Sequence, residues 1–235
     1  CTNNHCSLPA SGSIIPFVER FVDTNTTACT GPIDNQDTIS IDTSAAYDTG
    51  YGLRTRVVPY VWQLAILRLT RPAVIPKQAD FWARFMLFYS AAPSEPFTSV
   101  LLEWTHERGN ELPHEKISVD LAGDGTIRLI ADLDSNLAST EISLGSSSGN
   151  GKWHCIEVHI RTAESDSLLE LMVNGVQTES QAVQPLLPLE AFNVMSFGHL
   201  GIQGHEASTE FEIRLDDLVL SETRVGCPAP PVSPD

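Results

Sequence analysis

Residues 192–227, FNVMSFGHLGIQGHEASTEFEIRLDDLVLSETRVGC, decide how the rest of the chain is read. Two strand-like runs flank a glycine-rich turn, and the second run carries Asp216-Asp217. Phe211, Ile213 and Leu215 alternate with Glu212 and Arg214. A period of two places one face of a strand on a core and the other in water. Continued through the pair of aspartates, that register aims Asp217 inward at a core edge. A carboxylate there needs a cation or several N–H donors.

The same punctuation recurs upstream. IIPFVERFVD (14–23) reads as a short first strand, and a GYGLR segment (50–54) is followed by a second. VWQLAILRL (61–69) is apolar on both faces, a buried strand or a short helix, with strand favoured by the flanking Pro59 and Pro72, and FWARFMLFYS (81–90) is again apolar on both faces, as expected of a central strand of a packed sheet. SVLLEWTHE (99–107) alternates, with Glu103, Thr105 and Glu107 on one face. ISVDLAGDGTIRLIADL (117–133) is a hairpin turning at Gly123-Asp124-Gly125, and Asn174-Gly175 marks another tight turn. EISLG, KWHCIEVHIR and SLLELMV complete the set, while PLLPLEAF (185–192) is a short helix or an irregular connection. About a dozen short strands with evenly spaced turns and no helical periodicity predict an all-β antiparallel sandwich, a jelly roll. One domain over 14–227 is expected, with a polar arm at 1–13 and a proline-rich tail at 228–235.

Composition narrows the function. The 235 residues carry 14 basic against 30 acidic side chains, a net charge of −16. Such a surface repels nucleic acid and anionic lipid. None of the five cysteines forms a CxxC pair, and four of the five lie near loop-rich termini or turns, which favours an oxidising, extracellular or cell-surface setting. Cys1 precedes a polar stretch, as the lipid-modified cysteine of mature bacterial lipoproteins does, so a lipid anchor or an intermolecular bridge at Cys1 stands beside an arbitrary boundary.

From Gly151 onward the pattern resembles the laminin-G-like, concanavalin A-like jelly rolls. The residues are Gly151, Trp153 and His154; Asn174-Gly175; Asp216-Asp217 with Leu218 and Leu220; and Arg224 with Gly226. The resemblance implies two stacked antiparallel sheets with adjacent terminal strands, and leaves function open among lectins, glycosidases, lyases and adhesive modules. Adjacent termini bring Cys227 toward Cys6, while Cys29 and Cys155 pair or stay free. The family's structural cation implies calcium between Glu19, Asp23 and Asp217; the alternative is Asp217 capping backbone N–H groups.

In KWHCIEVHIR, Trp153, Cys155, Glu157, His159 and Arg161 share the face that lines the concave sheet in sugar-binding relatives. With Glu103 and Glu107 they form the candidate glycan surface, a Trp for ring stacking beside hydroxyl-binding groups. The alternative is an ordinary solvated face with cross-strand charge pairs. No catalytic residue is assigned. The glycosidase E-x-D-x-x-E pattern fails, because Glu170 is one position too far from Glu164 and Asp166, and the lyase triplet is matched only in part by Glu157-Val158-His159. The expected function is a non-catalytic lectin-like module for glycan binding or surface adhesion. A structural subunit of a filament or surface layer, with other copies of itself as partners, is the second reading; a polysaccharide lyase is the third.

Overall fold

A computed structural model describes residues 17–19, 39–48, 52–60, 64–69, 80–91, 93–105, 115–133, 140–143, 150–161, 167–183, 192, 194–201 and 205–228. Fourteen strands fall within them: β1 (Phe17–Glu19), β2 (Ile39–Asp42), β3 (Gly52–Val57), β4 (Leu64–Leu69), β5 (Asp80–Tyr89), β6 (Thr98–Thr105), β7 (Glu115–Ala122), β8 (Ile127–Leu133), β9 (Thr140–Ser143), β10 (Trp153–Arg161), β11 (Ser167–Val173), β12 (Val176–Val183), β13 (Val194–Gly201) and β14 (Phe211–Ser221). The larger sheet runs β12-β11-β10-β5-β14-β3-β2, with β1 also on β14; the smaller runs β4-β13-β6-β7-β8-β9. Every pairing among the described strands is antiparallel, as a chain of hairpins and crossovers between two stacked sheets requires.

Alternation builds the core between the sheets. The larger sheet contributes Phe81, Phe85 and Leu87 from β5, Ile156, Val158 and Ile160 from β10, and Ile213, Leu215, Leu218 and Leu220 from β14. The smaller sheet answers with Leu102, Trp104, Ile117, Val119, Leu129 and Phe197. Phe81 meets Trp104 edge-on with ring centroids 5.6 Å apart, and Phe85 meets Phe197 in the same way. Such pairs hold the layers in one lateral register, beyond what area burial does. His154 and His199 are drawn into the same interior and stack on Tyr89 and Phe97. Ser99 Oγ lies 2.6 Å from His199 Nδ1, and burial lowers the pKa of His199 to about 4, so it stays neutral at ordinary pH.

The expected hairpins are present. Asn174 and Gly175 both take positive φ, 55° and 79°, which a two-residue turn of matching twist needs. At the β7–β8 turn the Asp124 carboxylate accepts the Thr126 N–H at 2.8 Å. β1 lies antiparallel on the second half of β14, Phe17 opposite Leu220, as the resemblance implied for the terminal strands.

The direction expected for Asp217 is corrected. Asp216 stands opposite Met86 and Val219 opposite Arg84, so β14 carries one more residue than β5 across this step. Asp217 absorbs it with φ 52°, a β-bulge that turns its side chain to the outer face and leaves the inward place to Leu218. Asp216 secures the bulge: its Oδ1 accepts the Asp217 N–H at 2.7 Å, and its Oδ2 accepts the Tyr47 N–H at 2.7 Å.

Candidate functional site

Cross-strand register fixes what shares the outer face of the larger sheet. One row holds Arg54, Arg214, Phe88 and Trp153; a second holds Val219, Arg84, Glu157 and Met172; a third holds Ser221, Trp82, His159 and Glu170. Trp153, Cys155, Glu157, His159 and Arg161 therefore do lie on one face. Most of their polar groups are already engaged within the fold.

Two chain segments account for this. Residues 43–48 begin as a short 3-10 turn held close to β3; a Cβ on Gly52 would come 2.0 Å from the Ala45 carbonyl oxygen. Ser44 O from this turn accepts Arg214 Nη1 at 2.8 Å, and the Tyr47 ring meets Trp153 edge-on. Arg214 also sits over the Phe88 ring, 4.7 Å from its centroid. The second segment follows β14. After Ser221 the chain bends back and runs over β5 and β10 as a strap, residues 222–227. Arg224 lies over Trp82 and donates from Nε to Glu157 Oε1 (3.2 Å) and from Nη2 to Oε2 (2.8 Å). The Gly226 N–H adds a third bond to Oε1 at 3.1 Å, and Cys227 closes a disulfide with Cys155. Glu157 is 1 % exposed, so its charge is met by a guanidinium and a backbone donor rather than by water.

His159 is likewise occupied. Its ring stacks on Trp82 at 4.1 Å, and its two nitrogens each lie 2.6 Å from a carboxylate oxygen, of Asp80 and of Glu170. Next to the bulge, Arg84 Nη2 is 3.0 Å from Asp217 Oδ2.

Two expectations change as a result. Cys227 bonds to Cys155, not to Cys6, because the strap runs back over β10 instead of toward β1. Cys1, Cys6 and Cys29 lie outside the described residues. Glu103 does not share a face with Trp153: β6 belongs to the other sheet, and Glu107 lies outside the described residues. At Asp217, Oδ2 is paired with Arg84, and the Asp217 and Tyr47 N–H groups go to Asp216 rather than to Asp217. The Glu19 side chain and Asp23 are outside the described residues.

The outer face of the smaller sheet is different. Glu103, Thr105, Lys116, Ser118, Asp120, Arg128 and Ser196 stand opposite the core positions of β6, β7, β8 and β13. Ser118 and Asp120 form a buried floor, and Glu103, Lys116 and Arg128 rise half-buried around it. Burial raises the Asp120 carboxyl to about 7, and the charge of Glu103 adds to the rise; Ser118, Lys116 and Arg128 pull it down. The Ser118 hydroxyl lowers it from close by, yet neither Ser118 Oγ nor Asp120 Oδ1 has a hydrogen-bond partner of normal length among the described residues. Buried polar atoms of this kind are costly unless a further group completes them. The sequence reading did not single out this pair, although the signal was present: Ser118 and Asp120 are the polar members of an otherwise apolar alternation, Ile117, Val119 and Leu121.

Two stacked antiparallel sheets define a concanavalin A-like jelly roll. A sequence profile of the laminin G domain matches residues 96–222, more than half of the chain, and the chain belongs to that family. Among solved structures it is similar to an endo-β-1,4-glucuronan lyase from the fungus Trichoderma reesei, at TM-score 0.63 and 13% identity over 81% of this chain and 90% of that one. An alginate lyase from a Chlorella virus gives 0.59 and 9%, over 81% and 92%. A botulinum neurotoxin type C structure, described in terms of cell entry through two ganglioside molecules, gives 0.57 and 10% over 83% of this chain and 44% of that one. At these identities the likenesses establish the fold alone. No curated protein sequence matches the chain.

Proposed function

We propose that the chain is a non-catalytic, extracytoplasmic lectin-like module that binds glycan on the outer face of its smaller sheet. The observation that carries this is the floor of Ser118 and Asp120, whose Oγ and Oδ1 lack partners among the described residues and sit among half-buried Glu103, Lys116 and Arg128. A polyhydroxylated ligand offers the matching donors and acceptors, and hydroxyl recognition of this kind discriminates strongly because unpaired buried groups are penalised. The ganglioside and polyuronate contexts of structurally similar proteins give glycan precedence over other polar ligands. The Cys155–Cys227 disulfide supports an oxidising location.

The test is a glycan array probed with the native chain, Asp120→Asn, Glu103→Ala and Trp153→Ala. Loss of retention in the first two variants with folded spectra, and retention by Trp153→Ala, is the expected pattern. Retention by Asp120→Asn and Glu103→Ala together with loss in Trp153→Ala would return the site to the larger sheet. An array blank for the native chain would remove the glycan reading.

A further inference from the structure

The strap brings together three groups that the glycan reading does not use. The Sγ atoms of Cys155 and Cys227 and a carboxylate oxygen of Glu157 lie within 4.8 Å of one another, and all three residues are buried or half-buried. Cys227 Sγ is 3.7 Å from Glu157 Oε2. In a tetrahedral zinc site with Zn–S near 2.3 Å and Zn–O near 2.0 Å, sulfur and oxygen ligands are about 3.5 Å apart. As a disulfide the two sulfurs are closed to a metal. We propose that reduction of Cys155–Cys227 converts this point of the fold into a thiolate–carboxylate site for a zinc-like divalent cation.

The chemistry balances with a dithiol as reductant. The dithiol gives two electrons to the Cys155–Cys227 bond, becomes a cyclic disulfide and releases two protons. The two thiolates so formed take up the cation, and no other electron acceptor is needed. Starting from the reduced, protonated thiols, one Zn2+ replaces two protons, so the charge of the buried cluster does not change. That neutrality matters beside a carboxylate that is itself buried, because an uncompensated charge there is strongly disfavoured. Glu157 and Arg224 already cancel one another, and the exchange leaves their sum untouched.

The surroundings of Glu157 are arranged for such a ligand. Its Oε1 is held by Arg224 Nε at 3.2 Å and by the Gly226 N–H at 3.1 Å, which fixes the plane of the carboxylate. Its Oε2 faces the Cys227 sulfur and, among the described residues, is held by Arg224 Nη2, the bond a cation at Oε2 must displace. Partners on the distal oxygen orient a ligating carboxylate and set its affinity. Opening the disulfide also requires the two sulfurs to move apart. Cys227 sits on the strap rather than on a strand, so rotation of its side chain and a small shift of residues 226–227 suffice. Three protein ligands leave a fourth position for water, the composition of an open zinc site.

The experiment uses the whole native chain, reduced anaerobically with a dithiol that is then removed, and titrated with Co2+ alone as the spectroscopic stand-in for zinc. The reduced native chain is expected to develop thiolate-to-cobalt charge-transfer absorption together with the visible bands of tetrahedral cobalt. The oxidised chain is expected to develop neither. Cys227→Ser should lose this absorption, and Glu157→Gln should weaken binding about tenfold or more. Equal absorption in Cys227→Ser and the native chain would overturn the inference, because the signal would then belong to other cysteines. A folded, reduced native chain that takes up no Co2+ would overturn it as well. If the reduced chain unfolds without metal, recovery of strand ellipticity on adding Zn2+ to the native chain and not to Cys227→Ser supports the site, and recovery in neither refutes it. None of these outcomes depends on whether the chain binds glycan.

Discussion

Removing the disulfide while leaving the strap in place tests how the C-terminal segment stabilises the domain. The variant is Cys155→Ala together with Cys227→Ala, so that no free thiol is left at the site. The bridge spans 72 residues. Closing a loop of that length removes an unfolded-state entropy of about 15 cal/mol/K, or about 4 kcal/mol at 25 °C. In the folded variant the strap keeps the two Arg224 bonds and the Gly226 N–H bond to Glu157, so the native geometry is retained. The loss therefore falls mainly on the unfolded chain, which becomes freer and more extended. Equilibrium unfolding in urea, followed by circular dichroism, reads both parts. Stability should fall by about 4 kcal/mol, the slope against urea should rise as more surface is exposed, and the melting temperature should drop by roughly 8–16 °C for a domain of this size. A loss below about 1 kcal/mol with an unchanged slope would refute the reasoning, since the bridge would then constrain nothing that the unfolded chain explores.

Arg224→Ala keeps the bridge and leaves Glu157, among the described residues, with the Gly226 N–H. The Arg224 side chain is 44 % exposed, so the expected loss is about 2 kcal/mol, below that of a fully buried pair, and thermal melts of Arg224→Ala and Arg224→Lys measure it. Asp120 has a folded pKa of about 7 against an ordinary 3.8, so its contribution is full below pH 4 and is lost as pH rises through 7. Stability of the native chain should accordingly fall by a few kcal/mol between about pH 4 and pH 8 relative to Asp120→Asn, and parallel pH profiles of the two would rule this out. With Arg84 supplying the cation at Asp217, excess chelator should leave the melting temperature of the native chain unchanged, and a drop of several degrees would restore calcium to this end of β14.

Local chemistry was legible in the sequence and long-range choice was not. Asn174-Gly175 and Gly123-Asp124-Gly125 announced their turns because the conformations they adopt belong to those residues. His154, Ile156, Val158 and Ile160 declared a core face by alternation. Alternation says only in or out, however, and not which of two sheets a strand joins. β5 and β6 are consecutive yet lie in opposite layers, which is how Glu103 came to be grouped with Trp153. The bulge at Asp217 was hidden for a related reason. Setting one extra residue of LDDLVL against β5 reverses the face of a side chain without changing the residue pattern from which the face is read. The disulfide depended on where the strap runs after Ser221, a path set by Glu157 and Trp82, which lie far from it in sequence.

The strap also decides how the domain carries mechanical load. A pull on the chain beyond Cys227 reaches a covalent bond to Cys155 before it reaches β14, and Cys155 sits on β10, flanked on both sides by β5 and β11. The force enters the middle of the larger sheet and is shared by two ladders loaded together, so β14 is not peeled from its end one hydrogen bond at a time. β1 is paired into the same sheet. Tension applied through both terminal strands therefore stays within one layer, and the outer face of the other layer, with Ser118 and Asp120, stands on the unloaded side.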